Sequence, residues 1–129
     1  MGDAMRLVTP FDPIEVGEYD NFAFDFTADI GAATIVATSW TCQLWPFGVA
    51  GDPAAQSRIL SAAPQTEIAV RSSADGTLSQ QTGFFSVALV GGMPQSAAGG
   101  TYVLEATAVL SDGRTLKLNS TVLCKLPGP

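Results

Sequence analysis

The sequence predicts an all-β protein built as a two-layer sandwich of about seven antiparallel strands. Large apolar side chains recur at every second position in five stretches of the chain, and no helical period of useful length occurs. The 13 glycines and 8 prolines suit short strands joined by tight turns. A Ser-Asp-Gly-Arg turn at residues 111–114 separates the last two alternating stretches, which is the pattern of a β-hairpin.

The strands follow one another along the whole chain. Residues 1–13 are predicted to form an extended N-terminal arm, because Pro10 and Pro13 disfavour ladder pairing, and residues 14–129 are predicted to form the sandwich. Strands are predicted at residues 14–16, 21–29, 34–44, 58–61, 66–71, 84–90, 102–110 and 115–126. Residues 47–57, rich in Gly, Ala and Pro, are predicted to form a loop.

The alternating stretches define a candidate core, because successive side chains of a strand point to opposite faces. The inward sets are Phe22, Phe24, Phe26 and Ala28; Val36, Trp40, Cys42 and Leu44; Phe85, Val87 and Leu89; Tyr102, Leu104, Ala106, Ala108 and Leu110; and Leu116, Leu118, Val122, Cys124 and Leu126. Six of these are predicted as the structural core: Phe24, Phe26, Trp40, Tyr102, Leu104 and Leu118.

Many short strands with regular turns favour an immunoglobulin-like Greek-key arrangement. Trp40 then plugs the space between the sheets, and Tyr102 resembles a tyrosine corner whose hydroxyl bonds nearby backbone; a ligand-stacking role is the alternative for both. Cys42 and Cys124 would lie two strands apart, at about twice 4.8 Å. Since a disulfide needs Cα atoms within about 7 Å, two reduced buried thiols are predicted, with a disulfide as the alternative.

The charge balance limits the partners. The chain carries twelve acidic and six basic residues, a net charge of −6, with seven of the acidic residues in the first thirty positions. Nucleic acid and anionic membranes are therefore not expected as partners, since both require clustered Lys and Arg. The acidic segment either docks on a basic partner or is a solvated edge. The first residues lack the pattern of a secretory signal, so synthesis in the cytoplasm is expected.

The sequence offers little chemistry. Histidine is absent, and Lys117 and Lys125 fall on outward positions where they stay hydrated. Asp25 and Asp29 are separated by four residues, about 13 Å along a strand, which exceeds the spacing of paired glycosidase carboxylates. A calcium site in the acidic segment is disfavoured, because its spacing matches no EF-hand loop. No catalytic residue, metal or cofactor is predicted, and the chain is not expected to be an enzyme.

Several short motifs occur in an order that points to one family. They are Asp12-Pro13-Ile14-Glu15 with Tyr19, Phe24-Asp25-Phe26, Thr34-Ile35, Ser39-Trp40-Thr41, Gly100-Thr101-Tyr102 and Ser111-Asp112-Gly113-Arg114. Together, over residues 12–126, they resemble the fibre–tail adaptors of bacteriophages, although residues 45–80 are longer and richer in Pro and Ala than in that family.

The resemblance implies a non-enzymatic virion structural protein that links tail fibres to the tail or portal-proximal tube in several copies. Its partners would be tail or adaptor-ring proteins, the fibre protein and other copies of itself. An immunoglobulin-like binding or adhesion module of a cell surface is the alternative function. Candidate interface residues are Asp12, Glu15, Glu18, Trp45 and Phe47. Trp45 either anchors a partner or folds back over the end of the sandwich.

Overall fold

The structure is a computed structural model that describes residues 5–7, 11, 13–45, 51–71 and 78–126. Eight strands in two sheets confirm the predicted all-β sandwich. The strands are β1 (Met5–Leu7), β2 (Ile14–Glu15), β3 (Tyr19–Asp25), β4 (Ile35–Trp45), β5 (Ile59–Arg71), β6 (Leu78–Gly91), β7 (Thr101–Leu110) and β8 (Thr115–Lys125). A four-residue helix, α1 (Thr27–Ile30), and 3-10 turns at Ala55–Arg58 and Gln95–Ala97 complete the described elements.

The connectivity is that of a Greek key, because the chain passes repeatedly between the layers. The first sheet has the order β1-β8-β7-β4, with β2 also paired to β8, and the second has the order β3-β6-β5. β1 and β2 run parallel to β8, unlike the antiparallel pairing expected throughout. Parallel neighbours need a long crossover, and here the rest of the sandwich provides it. The described helices include none long and apolar enough to cross a membrane.

The core lies between the two sheets, and all six residues predicted for it are 4% exposed or less. The Trp40 ring packs against Phe24 with their centroids 5.0 Å apart. Its indole N–H donates to Ser86 Oγ at 2.7 Å. Neither Trp40 nor Tyr102 has free surface for a stacked ligand, so both serve the interior of the sandwich.

The predicted orientation of β6 is wrong. The prediction turned Phe85, Val87 and Leu89 inward, whereas the structure turns Ser86, Ala88 and Val90 toward the opposite sheet. Phe85 is buried as predicted, at 2% exposure, but it lies outside the core cluster between the sheets. The register decides this, since Ser86 lies opposite Phe24, which faces inward. β6 carries apolar residues at both parities, and the small ones face inward because the rings of Phe24 and Trp40 already fill that space.

Three other predicted core positions are exposed because strands end or shift. Val36 is 60% exposed because the register of β4 against β7 shifts between Ile35 and Ala37. Ala28 lies in α1, since β3 ends at Asp25. Leu126 follows the end of β8 and is 55% exposed.

The two short strands predicted on either side of Pro64 are a single strand, β5. It pairs with β6 over its length, with register shifts between Ile59 and Ser61 and between Gln65 and Glu67. Proline is tolerated here because β5 lies at the edge of its sheet, where a missing N–H removes no ladder bond.

Within the predicted arm, the described residues lie along the sandwich. β1 pairs with β8, and the Phe11 N–H donates to the carbonyl of Thr121 at 2.9 Å. The Phe11 ring contacts Phe22 and Phe24 at centroid distances of 4.8 and 5.3 Å. This part of the chain therefore contributes apolar packing to the end of the core.

Candidate interaction surfaces

A buried carboxylate joins the segment after β4 to the centre of the first sheet. Asp52 is 1% exposed and accepts two hydrogen bonds from the Arg58 guanidinium, at 2.8 and 2.9 Å. The hydroxyl of Tyr102 donates to Asp52 Oδ2 at 2.6 Å, and the Ala54 N–H donates to Oδ1 at 3.0 Å. These four bonds satisfy a charge that would be costly to bury alone.

The ionisation of this network follows from its geometry. The hydrogen bonds from Arg58 hold the pKa of Asp52 below its usual value, despite its burial. Burial, followed by the bond to Asp52, raises the pKa of Tyr102, whose hydroxyl remains a donor. The pKa of Arg58 is raised by the same carboxylate. The Asp52–Arg58–Tyr102 network is therefore a fixed structural ion pair, not a group that exchanges protons near neutral pH.

The prediction for Tyr102 was half correct. The ring is buried as expected, but its hydroxyl bonds to Asp52, not to nearby backbone. The two residues are 50 positions apart, so no local pattern points to the contact. In consequence, the described part of the predicted 47–57 loop is anchored to the sandwich by Asp52 and by Ala55, which is also buried.

Side chains and a proline protect three edges of the sheets, those of β4, β3 and β5. On β4, the Gln56 amide donates to the carbonyl of Trp40 at 2.9 Å and accepts the Cys42 N–H at 3.0 Å, as a neighbouring strand would. On β3, the Asp20 carboxylate accepts the N–H of Asn21 at 2.8 Å, so this donor is already satisfied. On β5, Pro64 and two register shifts interrupt the edge. Such features oppose strand addition by another chain.

The outer face of β4, β7 and β8, hereafter the outer face, carries an exposed apolar cluster. Trp45, at the end of β4, is 66% exposed. The register places Thr101 beside Trp45 and Leu123 beside Thr101, and Leu123 is 42% exposed. Val103 lies in the adjacent row, two residues from Thr101 on the same face. Trp45, Val103 and Leu123 are the apolar cluster at this end of the outer face.

The two sheets differ in charge. On the outer face, Lys117 Nζ lies 3.9 Å from Glu105, and Lys125 is in register with Glu15 of β2. On the second sheet, the described charged side chains are acidic: Asp20, Asp25 and Glu67. The outer face is therefore close to neutral, whereas the second sheet is acidic.

The predicted interface residues have different positions. Trp45 is exposed, so it does not fold back into the core. Glu15 is half-buried, and its N–H donates to the exposed Glu18 carboxylate at 2.9 Å, closing the turn before β3. Asp12 and Phe47 lie outside the described residues. Glu15 and Glu18 therefore belong to this turn, and Trp45 belongs to the apolar cluster of the outer face.

The parts of the chain that the structure describes contain no candidate metal site. No group of three His, Cys, Asp or Glu residues could hold a metal there.

An open groove of about 490 Å³ lies between the start of β4 and the middle of β5. Glu67 is the titratable side chain in its lining, which otherwise consists of Thr34, Ile35, Pro64, Gln65, Thr66 and Phe84.

The two cysteines are free and buried, on strands separated by β7, as predicted. Burial, together with the nearby Asp52 carboxylate, raises the pKa of Cys42 to about 12, and the pKa of Cys124 is raised for the same reasons. Since thiolates are the reactive form, we expect native protein at pH 8 to resist an aromatic disulfide reagent.

The test is a thiol titration in buffer and in denaturant. Two thiols per chain should react after unfolding and almost none before it. Rapid reaction of one thiol in the native protein, with the circular dichroism spectrum unchanged, would contradict the burial of that cysteine.

These features define the class of protein: an all-β sandwich of two sheets with a nearly neutral outer face that carries an exposed tryptophan. Comparison with protein-family models, with curated protein sequences and with solved structures finds no match at any of the three levels.

Proposed function

We propose that this chain is a non-enzymatic structural protein of a bacteriophage virion, an adaptor that links tail fibres to the tail. The observation that carries the proposal is the apolar cluster of Trp45, Val103 and Leu123 on a sandwich in which the edges of β3, β4 and β5 are protected. Exposed aromatic and aliphatic side chains on a stiff sheet are typical anchors of protein–protein contacts.

Two residues of the motifs that carry the family resemblance, Arg114 and Asp25, make hydrogen bonds around α1. Arg114, in the hairpin turn, donates to the carbonyls of Ile30 at 2.6 Å and Asp29 at 3.2 Å, at the end of α1. Asp25 accepts the Thr27 N–H at 2.9 Å at the start of α1. These bonds fasten the β7–β8 hairpin to the corner between β3 and β4. A stiff corner of this kind suits an adaptor that must transmit force between its neighbours.

The adaptor proposal is tested on whole particles. Virions purified from the source organism should contain the chain in a fixed ratio to the tail proteins, and antibodies to it should label the tail in electron micrographs. The alternative, a cell-surface binding module, predicts a chain that is absent from particles and present on the envelope of uninfected cells. Either of these last two results would overturn the proposal.

A further inference from the structure

We propose that the outer face is a self-association surface, and that its partner is the same face of a second copy of this chain. This inference rests on the proposed function, because both assign a contact to the same apolar cluster. Self-association is measured on the purified chain, so its test does not depend on whether the chain is part of a virion.

Pairing of strand edges, the other common route to self-association, is blocked at three edges. The edge of β4 is occupied by the Gln56 amide, that of β3 is protected by Asp20, and that of β5 contains Pro64. A second chain adding a strand at any of these edges would have to displace a satisfied hydrogen bond or meet a missing donor. Face-to-face packing of sheets requires neither.

The charges on the two sheets indicate which face can pack against the same face of a second copy. Two copies meeting through the outer side of the second sheet would bring Asp25 and Glu67 toward the same carboxylates of the partner, in a chain with a net charge of −6. Like charges in contact are unfavourable. On the outer face, Lys117 is the counter-ion of Glu105 in each copy, so this pair adds no net charge where two copies meet.

The apolar residues are arranged for a twofold contact. Trp45 on β4 and Leu123 on β8 lie in one row, on the two sides of Thr101. A twofold axis along β7 therefore places Trp45 of each copy over Leu123 of the other, so that both anchors are used twice.

The area of the outer face gives an estimate of the affinity of the dimer. Strands of 11, 10 and 11 residues form it. At about 3.3 Å per residue and about 4.8 Å between strands, it covers roughly 450–500 Å² per copy. A dimer would then bury about 1,000 Å², near the lower limit of specific interfaces, so the dissociation constant is expected to be on the order of micromolar to tens of micromolar.

The experiment is sedimentation velocity of the full chain over a concentration series, together with tryptophan fluorescence. The mass should rise from 13.3 kDa toward twice that value. Since the chain contains two tryptophans and Trp40 is buried in the monomer, a blue shift of emission with concentration would report the covering of Trp45. A constant mass and constant spectrum up to high micromolar concentration would overturn the proposal.

Matched charge variants locate the contact. Leu123→Lys places two like charges in the interface and should raise the dissociation constant at least about tenfold. Leu60→Lys changes a similarly exposed leucine on β5 and should leave the dissociation constant unchanged. Unfolding midpoints of both variants should match the wild type. Association that survives L123K, or that L60K weakens as much, would place the contact elsewhere.

Discussion

Asp52→Ala is expected to cost about 3–5 kcal/mol of the free energy of unfolding, because it breaks a buried ion pair from one side. The change leaves the Arg58 guanidinium, whose side chain is 19% exposed, without its anion. It also leaves the buried Tyr102 hydroxyl without its acceptor. Since a domain of this size is stable by about 5–15 kcal/mol in all, the change would remove a large share of the free energy of unfolding. Urea unfolding followed by circular dichroism measures the loss.

A matched control distinguishes the buried ion pair from an exposed one. Asp112 pairs with Arg114 at 2.8 Å, but both side chains are close to half exposed. Asp112→Ala should therefore shift the unfolding midpoint far less than Asp52→Ala. Equal shifts for the two variants would mean that solvent reaches Asp52 and that its network does not stabilise the fold.

Protonation of Asp52 at low pH is expected to destabilise the fold. Because the pKa of Asp52 is lower in the folded state than its usual 3.8, its ionisation stabilises the fold fully above about pH 4. That stabilisation is lost as the pH falls through the lowered folded pKa. Asp52→Asn, if it folds, should show a smaller loss of stability between pH 4 and pH 2 than the wild type. An unchanged acid profile in this variant would contradict the assignment.

Trp40→Ala should cost about 3–5 kcal/mol, because it leaves a cavity between the sheets that rigid strands cannot close. The indole packs on Phe24 and donates to Ser86, which also bonds to Thr38. Losing Trp40 removes both the ring contact and one partner of this buried hydroxyl group. Thermal unfolding followed by circular dichroism would show the effect as a large drop in Tm.

Two companion variants separate the causes. Trp40→Phe keeps most of the ring but loses the N–H donor, so its cost should be clearly smaller than that of the alanine variant. Trp45→Ala removes the exposed tryptophan and should barely change Tm. A Trp45→Ala variant as unstable as Trp40→Ala would mean that Trp45 packs into the core.

The two tryptophans show how well the alternation of residues along a strand predicts which side chains point inward. Both lie on β4, and their opposite parity correctly predicted that Trp40 is buried and that Trp45 points outward, but parity left open whether Trp45 folds back over the end of the sandwich, and the structure shows it exposed. Parity failed on β6, where Phe85 and its neighbours are apolar at both positions. There the register with Phe24 determined the orientation. Alternation specifies a face only where the other face is polar.

The sequence by itself determined the class of fold and the β7–β8 hairpin around Gly113, because each depends on residue spacing within a strand or turn. Tertiary structure decided where Asp52 goes, how Gln56 covers the edge of β4, and which residues surround Trp45. These contacts join residues from different strands and turns, and their geometry exists only after the sheets have packed. A carboxylate in a loop is solvated in most proteins, and it is buried here because Arg58 and Tyr102 arrive at the same point from different strands and turns.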